Sequence, residues 1–173
     1  LVILGRTAGE DQDNTDKPGS YKLTRTEEDL IRKVSSQFSR TAVILNVGNI
    51  IDMKWVREFD PAAVLYAWQG GQEGGNGVCD VLMGRVNPCG KLTDTIAEDV
   101  SDYPSTSNFG DLQKNYYKED IYVGYRYFET FAKDKVLYPF GFGLSYTSFS
   151  VQASAEEKDE HTVCVKATVK NTG

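Results

Sequence analysis

The pattern of apolar and polar residues along the first half of the chain predicts strands and helices in alternation. Three mainly apolar runs predict buried strands, at residues 1–4, 41–47 and 62–68. Apolar residues at helical spacing predict a helix between the first two runs, and another helix follows the third run and ends near Gly84. This order predicts the α/β class, with a mostly parallel sheet that carries helices on both faces.

The start of the first helix is marked by a capping box. Thr24 stands three residues before Glu27, the spacing at which the two side chains satisfy each other's backbone N–H groups. The apolar side chains that follow are predicted to share one face of this helix: Leu30, Ile31, Val34 and Phe38.

A glycine-rich turn follows the third apolar run, in the segment Trp68-Gln-Gly-Gly-Gln-Glu-Gly-Gly75. Glycine allows positive φ and close backbone approach, so the segment predicts a sharp turn from a strand into a helix. Backbone N–H groups at such a helix start often hold polar ligands. A plain connection is the alternative, and the glycines alone do not decide between them.

The remaining chain changes character twice. Residues 87–143 read as loops, with aromatic residues bunched between positions 116 and 128. Packing under a loop-rich surface is the preferred interpretation, although carbohydrate sites also use aromatic faces. Residues 149–154 and 162–169 alternate like half-exposed strands around a charged segment, which predicts the start of an all-β module.

Composition excludes some classes of partner. The 173 residues are 40% hydrophobic and 25% charged, with a formal net charge of −6. No cluster of Lys and Arg suggests a nucleic-acid partner, and no apolar run approaches the roughly 18 residues of a membrane helix. We therefore expect neither nucleic acid nor membrane as a partner.

The cysteines give no metal-binding pattern. Cys79, Cys89 and Cys164 lack a close CxxC spacing, and His161 is the single histidine. We expect free buried thiols, no metal and no cofactor; free thiols slightly favour a cytoplasmic location, which otherwise stays open. The chain begins Leu-Val-Ile-Leu, which is expected to be neither a natural start nor a signal peptide.

The loop after the first predicted strand is a candidate for chemistry. Glu10, Asp11, Asp13 and Asp16 surround Gly9 in this loop. Parallel α/β sheets bind ligands beyond the carboxyl ends of their strands, where a carboxylate could act on a substrate. A solvated acidic loop is the alternative, and the offsets do not fit a calcium-binding EF-hand.

Five motifs occur in an order that resembles one enzyme family. They are RTAGEDQDN (6–14), WQGGQEGG (68–75), NPCGKL (87–92), IYVGYRYFETF (121–131) and YPFGFGLSYTSF (138–149). Together they resemble the C-terminal part of a family 3 glycoside hydrolase of the β-glucosidase type. The resemblance implies that residues 1–146 are its α/β sandwich domain, partial at the N-terminal end, and that residues 147–173 begin a fibronectin type III-like module.

The resemblance also implies a mechanism. Gly9, Glu10 and Asp13 match a G-E-x-x-D loop whose glutamate is the acid/base, so Glu10 would be catalytic; Asp13 and Arg6 would bind substrate. The partner carboxylate, an aspartate nucleophile, would lie in a (β/α)8 barrel domain of the same enzyme. The reaction implied is hydrolysis, with retention, of terminal non-reducing β-glucosidic bonds in oligosaccharides or aryl glycosides.

Three residues depart from the family pattern, and two other functions stay open. Asn14 stands where many relatives have Arg, which puts individual sugar contacts in doubt, and Cys89 and Thr93 replace a common Ser and Pro. The chain could instead be a non-catalytic carbohydrate-binding or scaffolding module. A nucleotide-binding domain is disfavoured, because the glycine turn lacks GxGxxG and GxxxxGK[ST]. The preference among glucose, xylose and N-acetylglucosamine is not predicted.

Overall fold

The first half of the chain forms a three-stranded parallel sheet in the structure, a computed structural model that describes residues 1–6 and 13–173. Its strands are β1 (Val2–Gly5), β2 (Ala42–Asn46) and β3 (Ala63–Tyr66), in the order β1-β2-β3. The three apolar runs therefore form the predicted strands, each within two residues of the expected bounds.

Helices follow the strands in the predicted alternation. They are α1 (Arg25–Gln37), α2 (Trp55–Phe59) and α3 (Gly74–Leu82). The capping box of α1 is present in full, and α3 ends before Gly84, which has a φ of 68°. The predicted α/β class with a parallel sheet is confirmed.

The core lies around the central strand. Val43, Leu45 and Val47 are fully buried, and Ile31 of α1 packs against them. Burial of each such side chain stabilises the fold by roughly 1.5–3 kcal/mol relative to an exposed position. Ile3 contributes less, because it lies on the outer strand β1 and 65% of its surface is exposed.

The predicted apolar face of α1 is only partly buried. Ile31 and Val34 contact the core, whereas 45% of Leu30 and 61% of Phe38 are exposed. Leu30 lies about 100° around the helix from Ile31, at the margin of the buried stripe. Phe38 is the extended C-cap residue, with a φ of −126°, so helical periodicity no longer sets its direction.

The segment predicted as loops contains several short elements. β4 (Ile96–Ala97) pairs antiparallel with β5 (Val136–Tyr138), and α4 (Tyr125–Phe131) precedes β5. Phe128 of α4 is buried with Ala97, which confirms packing for that aromatic residue. Tyr117, by contrast, is 88% exposed, so the packing predicted for most of these aromatic residues does not include it.

The structure divides into two compact units. The first comprises Leu1–Val78 and Lys91–Phe142, and the second comprises Cys79–Gly90 and Gly143–Gly173. Within the second unit, the Tyr146 hydroxyl donates a hydrogen bond of 2.8 Å to the carbonyl oxygen of Val81. No helix among the described residues has the length and apolar character needed to cross a bilayer.

A long two-stranded ribbon makes up much of the second unit. β6 (Phe149–Asp159) pairs antiparallel with β7 (Thr162–Asn171). The strands are longer than predicted and include most of the charged segment, because the exposed ribbon lets charged side chains keep their hydration. The backbone N–H of His161 donates to Asp159 Oδ1 at 3.0 Å and closes the turn.

Candidate active site

The carboxyl ends of the three parallel strands meet at one edge of the sheet. The Arg6 N–H donates to the Asn46 carbonyl at 3.1 Å, and the Ala67 N–H donates to the Leu45 carbonyl at 2.9 Å. The strand pairing therefore continues to this edge. Since parallel α/β sheets bind ligands beyond such ends, the loops after β1, β2 and β3 define the candidate site.

Arg6, the first residue after β1, is held by protein acceptors. Its nitrogens donate to the carbonyl oxygens of Gly5 (3.0 Å), Ser20 (3.2 Å) and Lys22 (3.4 Å). Two further bonds form a bidentate pair with Glu27, in which Nη2 lies 2.9 Å from Oε2 and Nη1 contacts Oε1. The side chain of Arg6 is only 12% exposed, so these five bonds fix the guanidinium in place.

Glu27 joins this arginine to the start of α1. The Thr24 backbone N–H donates to Glu27 Oε2 at 2.7 Å, and the Thr24 hydroxyl donates to the same oxygen at 3.0 Å. Burial alone raises the pKa of Glu27, but the hydrogen bonds from Arg6 and Thr24 outweigh it and hold the pKa below its usual value. The ionised Glu27 thus connects the end of β1 to the cap of α1.

Asn14 makes a second connection at the same edge. Its Nδ2 donates to the carbonyl oxygen of Ile50 at 2.6 Å, which ties the loop after β1 to the loop after β2. The neighbouring Thr15 N–H donates to Ser20 Oγ at 3.0 Å. Asn14 therefore has a structural contact of its own at this edge.

The predicted site residues differ in what the structure describes. Glu10 lies within residues 7–12, outside the described residues, so its catalytic role stays a prediction. Asp13 is exposed beside Asn14, and no described residue makes a hydrogen bond to its side chain. Arg6 lies at the expected edge, where its bonds to protein acceptors leave its substrate-binding role a prediction.

Two aromatic residues at the end of β3 were not singled out from the sequence. The Tyr66 hydroxyl donates to the carbonyl oxygen of Asn49 at 2.7 Å and accepts from the Ile51 N–H at 3.2 Å. Burial raises the pKa of Tyr66, although the Ile51 N–H partly opposes that rise. The ring of Trp68 lies against Tyr66, with centroids 4.3 Å apart. In the sequence, the one sign that could have pointed to these residues is the position of Trp68 directly before the glycine-rich turn.

The glycine turn itself is as tight as predicted at one position. A Cβ added to Gly70 would lie 2.6 Å from the Cα of Gly74, closer than real Cβ contacts. Glycine is therefore required at position 70, where the chain folds back onto the start of α3.

The cysteine prediction needs a correction. All three thiols are free, but Cys79 and Cys89 are exposed and Cys164 is partly buried. The prediction of burial is wrong because Cys79 lies on an uncovered side of α3 and Cys89 lies in a loop. Within the described part of the chain, no three His, Cys, Asp or Glu side chains are grouped as metal ligands would be.

Two cavities in the first unit lie apart from the strand edge, in the loops between residues 105 and 123. Their volumes are about 510 and 330 Å³. Both are lined by Asn108, Phe109 and Tyr116. They do not include the residues predicted to act on substrate.

Comparison with known proteins identifies the family. A model of the glycosyl hydrolase family 3 C-terminal domain matches residues 1–146. The chain belongs to glycosyl hydrolase family 3. This confirms the resemblance carried by the five motifs, whereas the assignment of residues 147–173 to a fibronectin type III-like module stays a prediction.

Several relatives of this family 3 domain are β-glucosidases. The chain is 56% identical to a β-glucosidase of Ruminococcus albus over 173 residues, which are 100% of this chain and 18% of that protein. It is 50% identical to β-glucosidase A of Butyrivibrio fibrisolvens over 139 residues, or 78% of this chain and 17% of that protein. The chain therefore spans about a fifth of the length of these relatives.

Solved structures agree with this assignment. A β-glucosidase from Paenibacillus barengoltzii matches 99% of this chain and 20% of its own, with a TM-score of 0.94 and 52% identity. β-Glucosidase 3B from Thermotoga neapolitana, in complex with glucose, matches 99% of this chain and 25% of its own, with a TM-score of 0.89 and 39% identity. The fold of this family 3 domain is thus shared over nearly its whole length.

Proposed function

We propose that this chain supplies the general acid/base of a β-glucosidase that acts with retention of configuration. The observation that carries the proposal is the match of the entire chain to β-glucosidases, at 56% identity in one case. The G-E-x-x-D motif at residues 9–13 comes after β1 in the sequence, and parallel sheets bind ligands beyond the carboxyl ends of their strands. The substrate class is a terminal β-glucoside, of an oligosaccharide or an aryl alcohol.

In this proposal Glu10 works with a second carboxylate. An aspartate in a (β/α)8 barrel domain of the same protein attacks the anomeric carbon, while Glu10 protonates the departing glycosidic oxygen. Glu10 then removes a proton from the water that releases glucose. Retention requires the two carboxyl groups to lie about 5–5.5 Å apart, and the acid requires a raised pKa.

The connections around Arg6 and Asn14 support this role. Arg6 stands four residues before Glu10 and is bonded to Glu27, and Asn14 stands four residues after Glu10 and is bonded to Ile50. One end of the loop is therefore attached to α1 and the other to the loop after β2. We propose that Arg6 and Asp13 contact the sugar, as the resemblance implies, and that the bonds of Arg6 also position this loop.

The proposal extends to the β6–β7 ribbon. Its paired residues share one apolar face that is exposed in the described structure, with 63% of Val151, 66% of Val165 and 62% of Val169 accessible. An all-β module that continues beyond this ribbon would cover that face. We therefore assign the ribbon to the start of a fibronectin type III-like module.

Replacement of Glu10 in the full-length protein tests the catalytic role. With Glu10→Ala, we expect kcat/KM for cellobiose to fall by roughly 10²–10⁴, because its leaving group needs protonation. Hydrolysis of 2,4-dinitrophenyl β-glucoside should be affected far less at the step that forms the glycosyl–enzyme intermediate. Glu129→Ala is the matched control: Glu129 lies on α4, its ion pair with Lys133 is exposed, and its loss should leave both rates unchanged.

The outcome separates the candidate functions. Equal losses on both substrates would contradict an acid/base role for Glu10. If the full-length protein binds cellobiose but hydrolyses no β-glucoside, the proposed activity is wrong and the carbohydrate-binding function replaces it.

A further inference from the structure

Trp68 has an unusual backbone conformation at the carboxyl edge of the sheet. Its φ is 56°, in the left-handed region, whereas the other two non-glycine residues with positive φ are Asp60 and Asp120. This comparison covers residues 1–6 and 13–173. Aspartate tolerates the left-handed region, but for a bulky aromatic residue it is a strained outlier. The fold therefore keeps a Trp where Gly or Asn would be less strained.

The surrounding contacts hold this Trp in one orientation. Its ring lies 4.3 Å from the ring of Tyr66, centroid to centroid, at an angle of 40°. Tyr66 is itself fixed by hydrogen bonds to the backbone of Asn49 and Ile51. Trp68 thus packs against Tyr66 and still remains partly exposed. Strained residues that persist in this way cluster at ligand-binding sites.

The position of Trp68 relates it to the loop that carries Glu10. Arg6 directly follows Gly5, the last paired residue of β1, and Trp68 lies two residues after Tyr66, the last paired residue of β3. The two residues therefore lie on either side of the end of β2. Adjacent strands lie about 4.8 Å apart, so the backbones at these two positions are separated by about 10 Å. That separation is on the order of the length of a disaccharide.

We propose that Trp68 is a substrate-contacting residue that packs against the leaving-group sugar. The inference rests on the proposed function, because a domain that protonates the glycosidic oxygen faces the leaving-group side of the substrate. A sugar presents a C–H face to an aromatic ring, and the accessible part of the indole offers such a ring. The residue thus favours glucosides whose leaving group is itself a sugar.

Trp68→Gly in the full-length protein tests the inference without adding strain, because glycine adopts a φ of 56° freely. We expect kcat/KM for cellobiose to fall roughly three- to tenfold, mostly because KM rises. A loss of this size corresponds to the free energy of one aromatic contact. Methyl β-glucoside lacks a second sugar, and its kcat/KM should stay within about twofold of the unsubstituted protein. Trp68→Phe keeps an aromatic face and should lose less than Trp68→Gly on cellobiose.

Asp60→Gly is the matched control. Asp60 also has a left-handed conformation, with a φ of 44°, but it precedes β3 and so lies toward the opposite edge of the sheet. This variant should leave the ratio of cellobiose to methyl β-glucoside hydrolysis unchanged. The thermal transition of each variant, measured in parallel, shows whether it is folded.

The result is read as the ratio between the two substrates. Equal losses on cellobiose and methyl β-glucoside for folded Trp68→Gly would overturn the inference and assign Trp68 to packing alone. An unchanged ratio with full activity would overturn it as well. Absence of β-glucoside hydrolysis in the unsubstituted protein would instead contradict the proposed function, so the two failures are distinguishable.

Discussion

Arg6→Ala is the substitution that the structure allows us to analyse in most detail. It removes the bidentate pair with Glu27 and the bonds to three backbone carbonyl oxygens. Side chains of the pair are 12% and 19% exposed, so the carboxylate left behind is poorly solvated. Loss of one partner from a well-buried ion pair lowers the free energy of unfolding by about 3–5 kcal/mol. We expect a smaller loss of about 2–3 kcal/mol here, because Glu27 is partly exposed and keeps its hydrogen bonds from Thr24.

Hydrogen–deuterium exchange of the full-length protein measures this loss locally. We expect the amides in the first turns of α1 and in residues 20–24 to exchange roughly 30–150 times faster in Arg6→Ala, if they exchange by opening of this segment. Arg32→Ala is the control. Arg32 lies on α1, as Glu27 does, but its ion pair with Glu58 of α2 (3.1 Å) is exposed and should contribute little. Unchanged exchange in Arg6→Ala would refute the assignment of Arg6 as the connection between β1 and α1.

The pH dependence gives an independent check of the same pair. Because the pKa of Glu27 is lowered in the folded protein, its ionisation stabilises the fold above the ordinary value of 4.5, and this stabilisation is lost as the pH falls through the lowered pKa. Glu27→Gln lacks this contribution. The protection of α1 in the unsubstituted protein and in Glu27→Gln should therefore differ at neutral pH and converge at lower pH. A difference that is independent of pH would contradict the role of the charge.

Three further predictions follow from single contacts. Gly70→Ala should destabilise the first unit by about 1–3 kcal/mol in denaturant unfolding, since its Cβ would lie 2.6 Å from the backbone of Gly74; unchanged stability would contradict the tight turn. Asn14→Asp replaces the donor that contacts Ile50 and should lower kcat for cellobiose more than for 2,4-dinitrophenyl β-glucoside; equal effects would exclude loop positioning. The backbone amide of Val165 should exchange slowly in the full-length protein, because the proposed all-β module would cover this face of the ribbon. Rapid exchange would contradict the assignment of the ribbon to such a module.

The sheet could be predicted from sequence because its signals are local. Each strand lies within a mainly apolar run of the sequence, and the Thr24–Glu27 capping box lies within one helical turn. The charged part of β6 was harder to predict, because its stabilisation comes from pairing with β7 and not from apolar side chains. Burial of the cysteines was predicted wrongly, since it depends on which surfaces other elements cover.

The contacts of the candidate site were less predictable than its location. The strand edge and the acidic loop followed from the order of strands and from the resemblance to the family. The pair between Arg6 and Glu27, however, joins residues 21 positions apart, and no local pattern specifies such a partner. The left-handed conformation of Trp68 was likewise invisible, because sequence signals for positive φ come from Gly, Asn and Asp.

The formation of a glucosyl azide tests the central claim most directly. In the full-length Glu10→Ala variant, azide can attack the glucosyl–enzyme intermediate without help from a general base, forming a bond between nitrogen and the anomeric carbon while the bond to the nucleophilic aspartate breaks. We predict that 2,4-dinitrophenyl β-glucoside and azide yield β-glucosyl azide, identified by NMR, with a faster turnover than without azide. If the folded variant shows no rate enhancement and forms no glucosyl azide, the assignment of Glu10 as the acid/base is contradicted.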